Sequence, residues 1–495
     1  MDNSANHPAT AAERKIILLL CLLAAVHVFV FSAAFPFFNV VDEQMHVDLA
    51  VKYAQGKIPR TLAAADAEAA PFLVVYASPE FLQTNATVPP PAWKQPIAAV
   101  RETLATKQNF YRTTFQNHES AQPPLYYSIA GAWWRLGKTN WLDGGQLLYW
   151  LRFLNVPLVG ALAWLAWHTA RKVFPENLFL RLAVPAFIAF LPQTAFYSVN
   201  NDILSPLTFG AAFLLLLKFA ETPNPRLAAA TGLALAATFL TKISNLPLLA
   251  AATIFIVFKF VEIFRTGKIR SSIPVLTTLA ACAGLPVAAW LAWCKINFGD
   301  FTGTAAKIQF LGWTHQPFAV WWHHPIFTLT GAWTFISGLL ATFWQGESLW
   351  HRQPLGWPAA NVIYAVTSLI FMGFALWPLW RRPQTTTAAQ RTALWFSLAS
   401  FAAAVGFLGF LSISYDFQDC FYPSRAHPYF TSGRLLLGAL IPFLLLFTFG
   451  LDRALGKCRN AIKFSVLALL LIAMLVAETA LDWKIFSSEY NWFHL

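Results

Sequence analysis

Asp42, Glu43 and His46 stand together directly after the first long apolar stretch of the chain. Residues three and four apart share a helix face, so a helix starting here brings either carboxylate within reach of the imidazole. Such a set can take a proton from an incoming hydroxyl or help to hold a divalent cation. The plainer account is a helix start, where the macrodipole favours acids in the first turn.

Three further groups carry related chemistry. In His118-Glu119-Ser120-Ala121-Gln122-Pro123-Pro124-Leu125-Tyr126-Tyr127 a polar run breaks into an apolar segment at a double proline. Proline at a first helical turn is ordinary, which leaves His118, Glu119 and Gln122 as candidates for completing a metal or acceptor site. Asn200-Asn201-Asp202 lies between two apolar stretches; Asn and Asp cap helices, and the alternative is that Asp202 faces Asp42 across a cavity. Gly433-Arg434 opens another apolar stretch. A snorkelling arginine is the simple reading there, and bidentate binding of a lipid phosphate is the functional one. Lys242, between two apolar stretches, is a second candidate phosphate contact. Asp42, His46 and Asp202 are the candidate metal ligands. His315 and His323-His324 have no ligand spacing.

Whether these groups meet depends on the elements that carry them. With 495 residues, 57% of them hydrophobic and 12% charged, and a mean hydropathy of +0.51, the chain reads as a polytopic membrane protein rather than a soluble domain. Apolar runs of about 17 to 25 residues without period-two alternation indicate helices, not a barrel. The 21 Trp and 45 Phe suit lipid-facing and interfacial positions. A net charge of +12 therefore belongs to membrane topology and does not argue for nucleic acid. The five cysteines are scattered singly and imply no disulfide framework.

Eleven spans are expected, over residues 16–38, 146–169, 180–198, 203–220, 227–240, 243–264, 273–296, 359–380, 392–413, 435–451 and 462–481. The first is too long for a signal-peptide core and is read as an uncleaved span. Two more apolar segments, 125–136 and 326–344, are ambiguous. Leaving both outside puts Arg14-Lys15, Arg171-Lys172, Arg265, Lys268, Arg270, Arg381-Arg382 and Arg453 on the cytoplasmic side, as the positive-inside rule requires. Both then lie along the outer interface as helices.

The expected organisation is a cytoplasmic N-terminus with the first span (1–38) and a large extracytoplasmic loop with the acids (39–145). A transmembrane core (146–296), a second outer loop (297–358) and C-terminal spans (359–495) follow. All four polar groups fall on the outer side.

The order of these motifs resembles the GT-C superfamily of polytopic glycosyltransferases, which includes protein O-mannosyltransferases and the aminoarabinose transferases acting on lipid A. The likeness is greatest to a family of predicted bacterial membrane proteins of unknown function in which Pro-Asp-Glu-x-x-His, Phe-Trp-Gly and Gly-Arg-Tyr recur. Here the segments read Val41-Asp42-Glu43-Gln44-Met45-His46, Phe343-Trp344-Gln345-Gly346 and Gly433-Arg434-Leu435. The departures are Val41 for proline, the inserted Gln345 and leucine after Arg434.

That resemblance implies an all-α GT-C-like fold in a bacterial inner membrane with its site on the extracytoplasmic face. The implied reaction moves a sugar from a polyprenyl-phosphate donor to a glycan, lipid or protein acceptor. Asp42, with Glu43 as neighbour, would be catalytic. His46, His118, Glu119, Gln122, Asp202, Lys242 and Arg434 would bind substrate, with a divalent cation optional. The competing classes are a lipid-linked glycan transporter or flippase and a non-catalytic scaffold for envelope glycan assembly.

Overall fold

The computed structural model describes residues 10–81, 83–84, 87–265, 269–381 and 386–492. Lys268 and Arg382 of the charge assignment lie outside the described residues. The fold is all-helical and polytopic. Among the described residues nine helices are long and apolar enough to cross a bilayer: Ala11–Ala34, Gly144–Val173, Asn201–Glu221, Ile243–Glu262, Ser272–Phe298, Pro358–Arg381, Ala388–Ser414, Gly433–Ala454 and Asn460–Phe486.

The other two expected spans are shorter helices. The apolar run over 180–198 is helical only from Leu178 to Ala189. Pro192 supplies no N–H to continue it, and the backbone leaves the helix for an irregular passage into a 3-10 turn at Thr194–Phe196. The helix Pro225–Thr241, capped by Asn224, has 17 residues and ends at Lys242. The ambiguous segments also fold as helices, Leu125–Thr139 with 15 residues and Leu329–Gln345 with 17.

Gly433–Ala454 is the hub, with 89% of its apolar window buried against 17% for Ser272–Phe298. It packs on Leu178–Ala189, Pro358–Arg381 and Ala388–Ser414. A span that other helices surround needs no polar face, and its apolar residues are buried on every side. Arg434 sits at its very start, on the 3-10 turn Gly433–Ala439.

The loop between the first two long helices has its own structure. The helix Glu43–Ala54 is buried along almost its whole length and packs on Leu125–Thr139. Asp48 holds it in place, accepting from Lys52 Nζ at 2.6 Å, Asn117 Nδ2 at 2.7 Å and the Asp66 amide at 2.7 Å. Small antiparallel strand pairs join Thr314–His315 to Tyr415–Asp416 and Leu349–Trp350 to Gln353–Pro354.

Candidate active site

Asp42 occupies the N-cap position of Glu43–Ala54 but does not cap it. Its backbone is left-handed (φ 63°, ψ 5°) and its side chain makes no bond to the first turn. Asp tolerates this region better than most residues, yet a non-glycine residue held there stores strain of about 1–3 kcal/mol. The carboxylate is turned away from the helix and toward Arg434.

Arg434 is the centre of the cluster. Its Nη2 donates to Asp42 Oδ2 at 2.9 Å, and its Nη1 donates to Asp202 Oδ2 at 3.3 Å. Its Nε lies 3.6 Å from Glu347 Oε2, beyond a good hydrogen bond. Asp202 also accepts from Lys242 Nζ at 2.5 Å. Asn200, not Asp202, caps the short turn Asn201–Ile203, accepting from the Asp202 amide at 2.8 Å, so the Asp202 carboxylate is left for the two cations.

His118 spans the other side of Asp42. Its Nε2 lies 3.5 Å from Asp42 Oδ1 and 3.4 Å from Glu119 Oε1, while Lys307 pairs with the same Glu119 oxygen. Gln122 donates to Glu119 Oε2 at 2.6 Å and accepts from Asn201 Nδ2 at 3.3 Å, tying the two loops together. His46 stacks on Tyr127, its Nδ1 sharing a 2.7 Å hydrogen bond with the Tyr127 hydroxyl.

Burial alone would raise Asp42; the adjacent His118 imidazole and the charge of Arg434 outweigh it and hold the carboxyl far below its usual range. Burial likewise works against the His118 imidazolium, but Asp42 and Glu119 push His118 up to about 9. Burial also raises Glu119, and Lys307 and His118 reverse this, leaving it well below the usual range. Desolvation dominates at His46, bringing it down to about 4, so the ring is neutral. Burial raises Glu347 against the opposing charge of Arg434.

Two glycines fix the cations and acids in place. A Cβ on Gly433 would run into the backbone of Phe343, and one on Gly346, which has φ 78°, would run into Gln193 and Thr194. The Gly433 amide donates to Thr342 Oγ1 at 2.9 Å, and the Glu347 amide to Thr194 Oγ1 at 3.1 Å. The Phe343-Trp344-Gln345-Gly346 and Gly433-Arg434 motifs are thus two sides of one contact. Glu347, the next residue, is delivered to Arg434.

Asp42, His118, Glu119, Gln122, Asp202, Lys242 and Arg434 are linked by direct contacts, and His46 stands in their electrostatic field. Glu43 does not join them. Its carboxylate accepts from Arg152 Nε at 2.7 Å and Nη2 at 2.6 Å, from the Phe38 amide at 2.8 Å and from the Val199 amide at 3.0 Å. Arg152 in turn donates to the carbonyls of Ser32, Phe35 and Pro36. Glu43 therefore clamps the end of the first helix, and every acceptor direction is taken.

The expected metal set of Asp42, His46 and Asp202 does not assemble. Asp202 is taken by Lys242 and Arg434, and His46 by Tyr127. Among the described residues, Asp42, His118 and Glu119 are the group whose ligand atoms lie within 4.8 Å of one another. Glu347, Lys307 and Arg152 are the ionic residues that the sequence reading passed over.

Several buried polar atoms of this cluster lack a hydrogen-bond partner among the described residues: His46 Nε2, His118 Nδ1, Asn201 Oδ1, Glu347 Oε1 and Arg434 Nε. Buried polar groups in native proteins are nearly always paired. Five such atoms, drawn from five segments of the chain, leave the cluster with hydrogen-bonding capacity for water or a bound molecule.

No curated protein matches the sequence. Among solved structures, the chain resembles ArnT from Cupriavidus metallidurans bound to undecaprenyl phosphate, with 11% identity and a TM-score of 0.44, covering 98% of this chain and 75% of that one. It also resembles the Archaeoglobus fulgidus oligosaccharyltransferase in complex with Zn and sulfate, with 11% identity and a TM-score of 0.42, over 94% of this chain. The likeness spans 53% of that oligosaccharyltransferase chain, about half its length. The family model for DUF2142, a predicted membrane protein, matches residues 24–412. Since that match takes in most of the sequence, the chain belongs to the DUF2142 family of predicted membrane proteins.

Proposed function

We propose that this protein is a GT-C-type glycosyltransferase that moves a sugar from a polyprenyl-phosphate donor to a hydroxyl of an extracytoplasmic glycan, lipid or protein. The observation that carries the reading is the set of unpaired buried polar atoms around the Asp42–Arg434 ion pair. A transport pathway needs no such fixed ring of donors and acceptors at one end of the bundle.

In this reading the acceptor hydroxyl approaches Asp42, which is ionised at neutral pH and receives its proton as the new glycosidic bond forms. The bond from the anomeric carbon to the phosphate oxygen breaks, and its electron pair goes to the phosphate. Attack from the face opposite the phosphate inverts the anomeric centre. Arg434 has N–H groups beyond those given to Asp42 and Asp202, and with Lys242 it stabilises the charge that grows on the departing phosphate. Asp202 and Glu347 hold the guanidinium in place, and neutral His46 offers its free Nε2 to a sugar or acceptor hydroxyl. Glu43 acts as a positioning residue through Arg152.

Asp42, His118 and Glu119 offer donors that a divalent cation accepts. As folded, the His118 ring stands between the two carboxylates, Lys307 sits on Glu119 and Arg434 on Asp42. A divalent ion here would have to displace the His118 proton and compete with Lys307 and Arg434 for the two carboxylates, so the set as folded does not fit a resident cation. The test of the function is a glycan profile of the cell envelope with and without the gene. The reading expects one sugar modification to disappear, and an unchanged profile contradicts it.

A further inference from the structure

A second polar cavity lies behind the wall that carries Glu347. Gln345, Ser348, Tyr364, Glu478 and Asp482 contribute to its lining, and its volume is about 20 Å³, room for one water-sized guest. Segment 345–348 separates the two sites: Gln345, Gly346 and Ser348 face this cavity, while Glu347 lies at Arg434.

Two carboxylates, Glu478 and Asp482, are four residues apart on one face of the helix Asn460–Phe486. They differ in what holds them. Glu478 has a partner on each oxygen: Oε2 meets His27 Nε2 at 2.9 Å and Oε1 accepts from the Tyr197 hydroxyl, while His27 Nδ1 rests against the Ala189 carbonyl at 3.1 Å. Asp482 is only 4% exposed, lines the cavity and makes no hydrogen bond or ion pair among the described residues. A carboxylate in that position needs a cation or a proton.

The rest of the lining offers oxygen. Gln345 Nε2 donates one hydrogen to Asn361 Oδ1 at 2.8 Å, so its carbonyl oxygen is left as an acceptor. Ser348 and Tyr364, both hydroxyl-bearing, line the same wall. Among the described residues, no cysteine or histidine lines the cavity. Oxygen donors around a carboxylate suit hard cations and do not favour zinc or copper.

We propose that Asp482, with Gln345 and Ser348, binds a hard divalent cation of the Ca²⁺ type, distinct from the Asp42 cluster, and that this ion braces the segment holding Glu347 against Arg434. The site stands whatever reaction the Asp42 cluster performs.

The test is thermal unfolding of the full chain in lipid nanodiscs, in EDTA and then with CaCl₂, MgCl₂ or NaCl at matched ionic strength. Wild type is compared with Asp482→Asn, Ser348→Ala and His118→Ala. Ca²⁺ is expected to raise the Tm of wild type and His118→Ala by several degrees, to do less for Ser348→Ala and to leave Asp482→Asn unmoved. No rise in wild type, a rise given equally by NaCl, a rise that survives in Asp482→Asn, or one lost in His118→Ala overturns the proposal. Should Asp482→Asn not fold, Tb³⁺ luminescence sensitised through Tyr364 decides. Emission in wild type that Ca²⁺ displaces and Tyr364→Phe reduces supports the site; its absence contradicts it.

Discussion

Arg434 Nη2 lies 2.9 Å from Asp42 Oδ2, although 392 residues separate the two in sequence. Every other element of the site can be described by what it does for this pair. The glycine before Arg434 lets its backbone lie against Phe343, and the left-handed turn at Asp42 points the carboxylate back at it. Arg434→Lys keeps the charge but cannot reach Asp42, Asp202 and the phosphate together. A loss of transfer of about 100-fold or more, on the scale of a removed oxyanion donor, is expected, with Tm little changed. Rates and unfolding of the purified variant check it.

Glu43 and Arg152 are a buried pair, each about 1% exposed. Breaking such a pair from one side costs about 3–5 kcal/mol because the surviving charge is stranded. Arg152→Ala and Glu43→Gln should therefore fail in folding yield and Tm. Residual folded protein should retain most of its turnover. A Glu43→Gln enzyme with normal stability and no turnover would restore Glu43 to the chemistry.

Gly433→Ala tests the close approach of the two motifs. The added methyl has no room against the Phe343 backbone, so the hub must shift and carry Arg434 with it. Overpacking costs of about 1–3 kcal/mol and a marked fall in turnover are expected together, read by unfolding and by transfer assays on the same preparation.

His118 gives the site a pH signature. Its folded value, about 9, is raised above the free imidazole's by Asp42 and Glu119, which overcome the burial that opposes them. A raised value means that its stabilisation is full below about pH 6.5 and is lost as pH rises through about 9. Tm measured from pH 6 to pH 10 should fall across that window, and His118→Gln should flatten the fall. A profile identical in the variant would remove His118 from the bridge.

Much of the site can be read from the sequence because ionic residues directly beside apolar stretches are conspicuous. Asp42, His118, Asp202, Lys242 and Arg434 all announce themselves that way. Glu347 does not, although it follows a quoted motif, because nothing in a linear reading brings it to Arg434. Lys307 falls within the expected outer loop 297–358, where no ligand spacing singles it out, and the fold places it on the short helix Thr304–Phe310. Arg152 was readable in principle: an arginine inside the 146–169 stretch needs a partner, and only the fold names Glu43. The same holds for His27 and Glu478, polar or charged residues inside expected spans, and for Asp482, directly after the last one. Hydropathy over 180–198 conceals the break because the residues stay apolar while Pro192 ends the helix.

Sugar transfer by the Asp42→Asn variant tests the central claim most directly. Asn keeps the size and can still accept from Arg434, but it cannot take a proton from an acceptor hydroxyl. In membranes supplied with a polyprenyl-phosphate sugar, the variant is expected to express and fold like wild type and to lose transfer by about 1000-fold or more, within the range for a lost general base and its electrostatics. Wild-type transfer by Asp42→Asn would contradict the account.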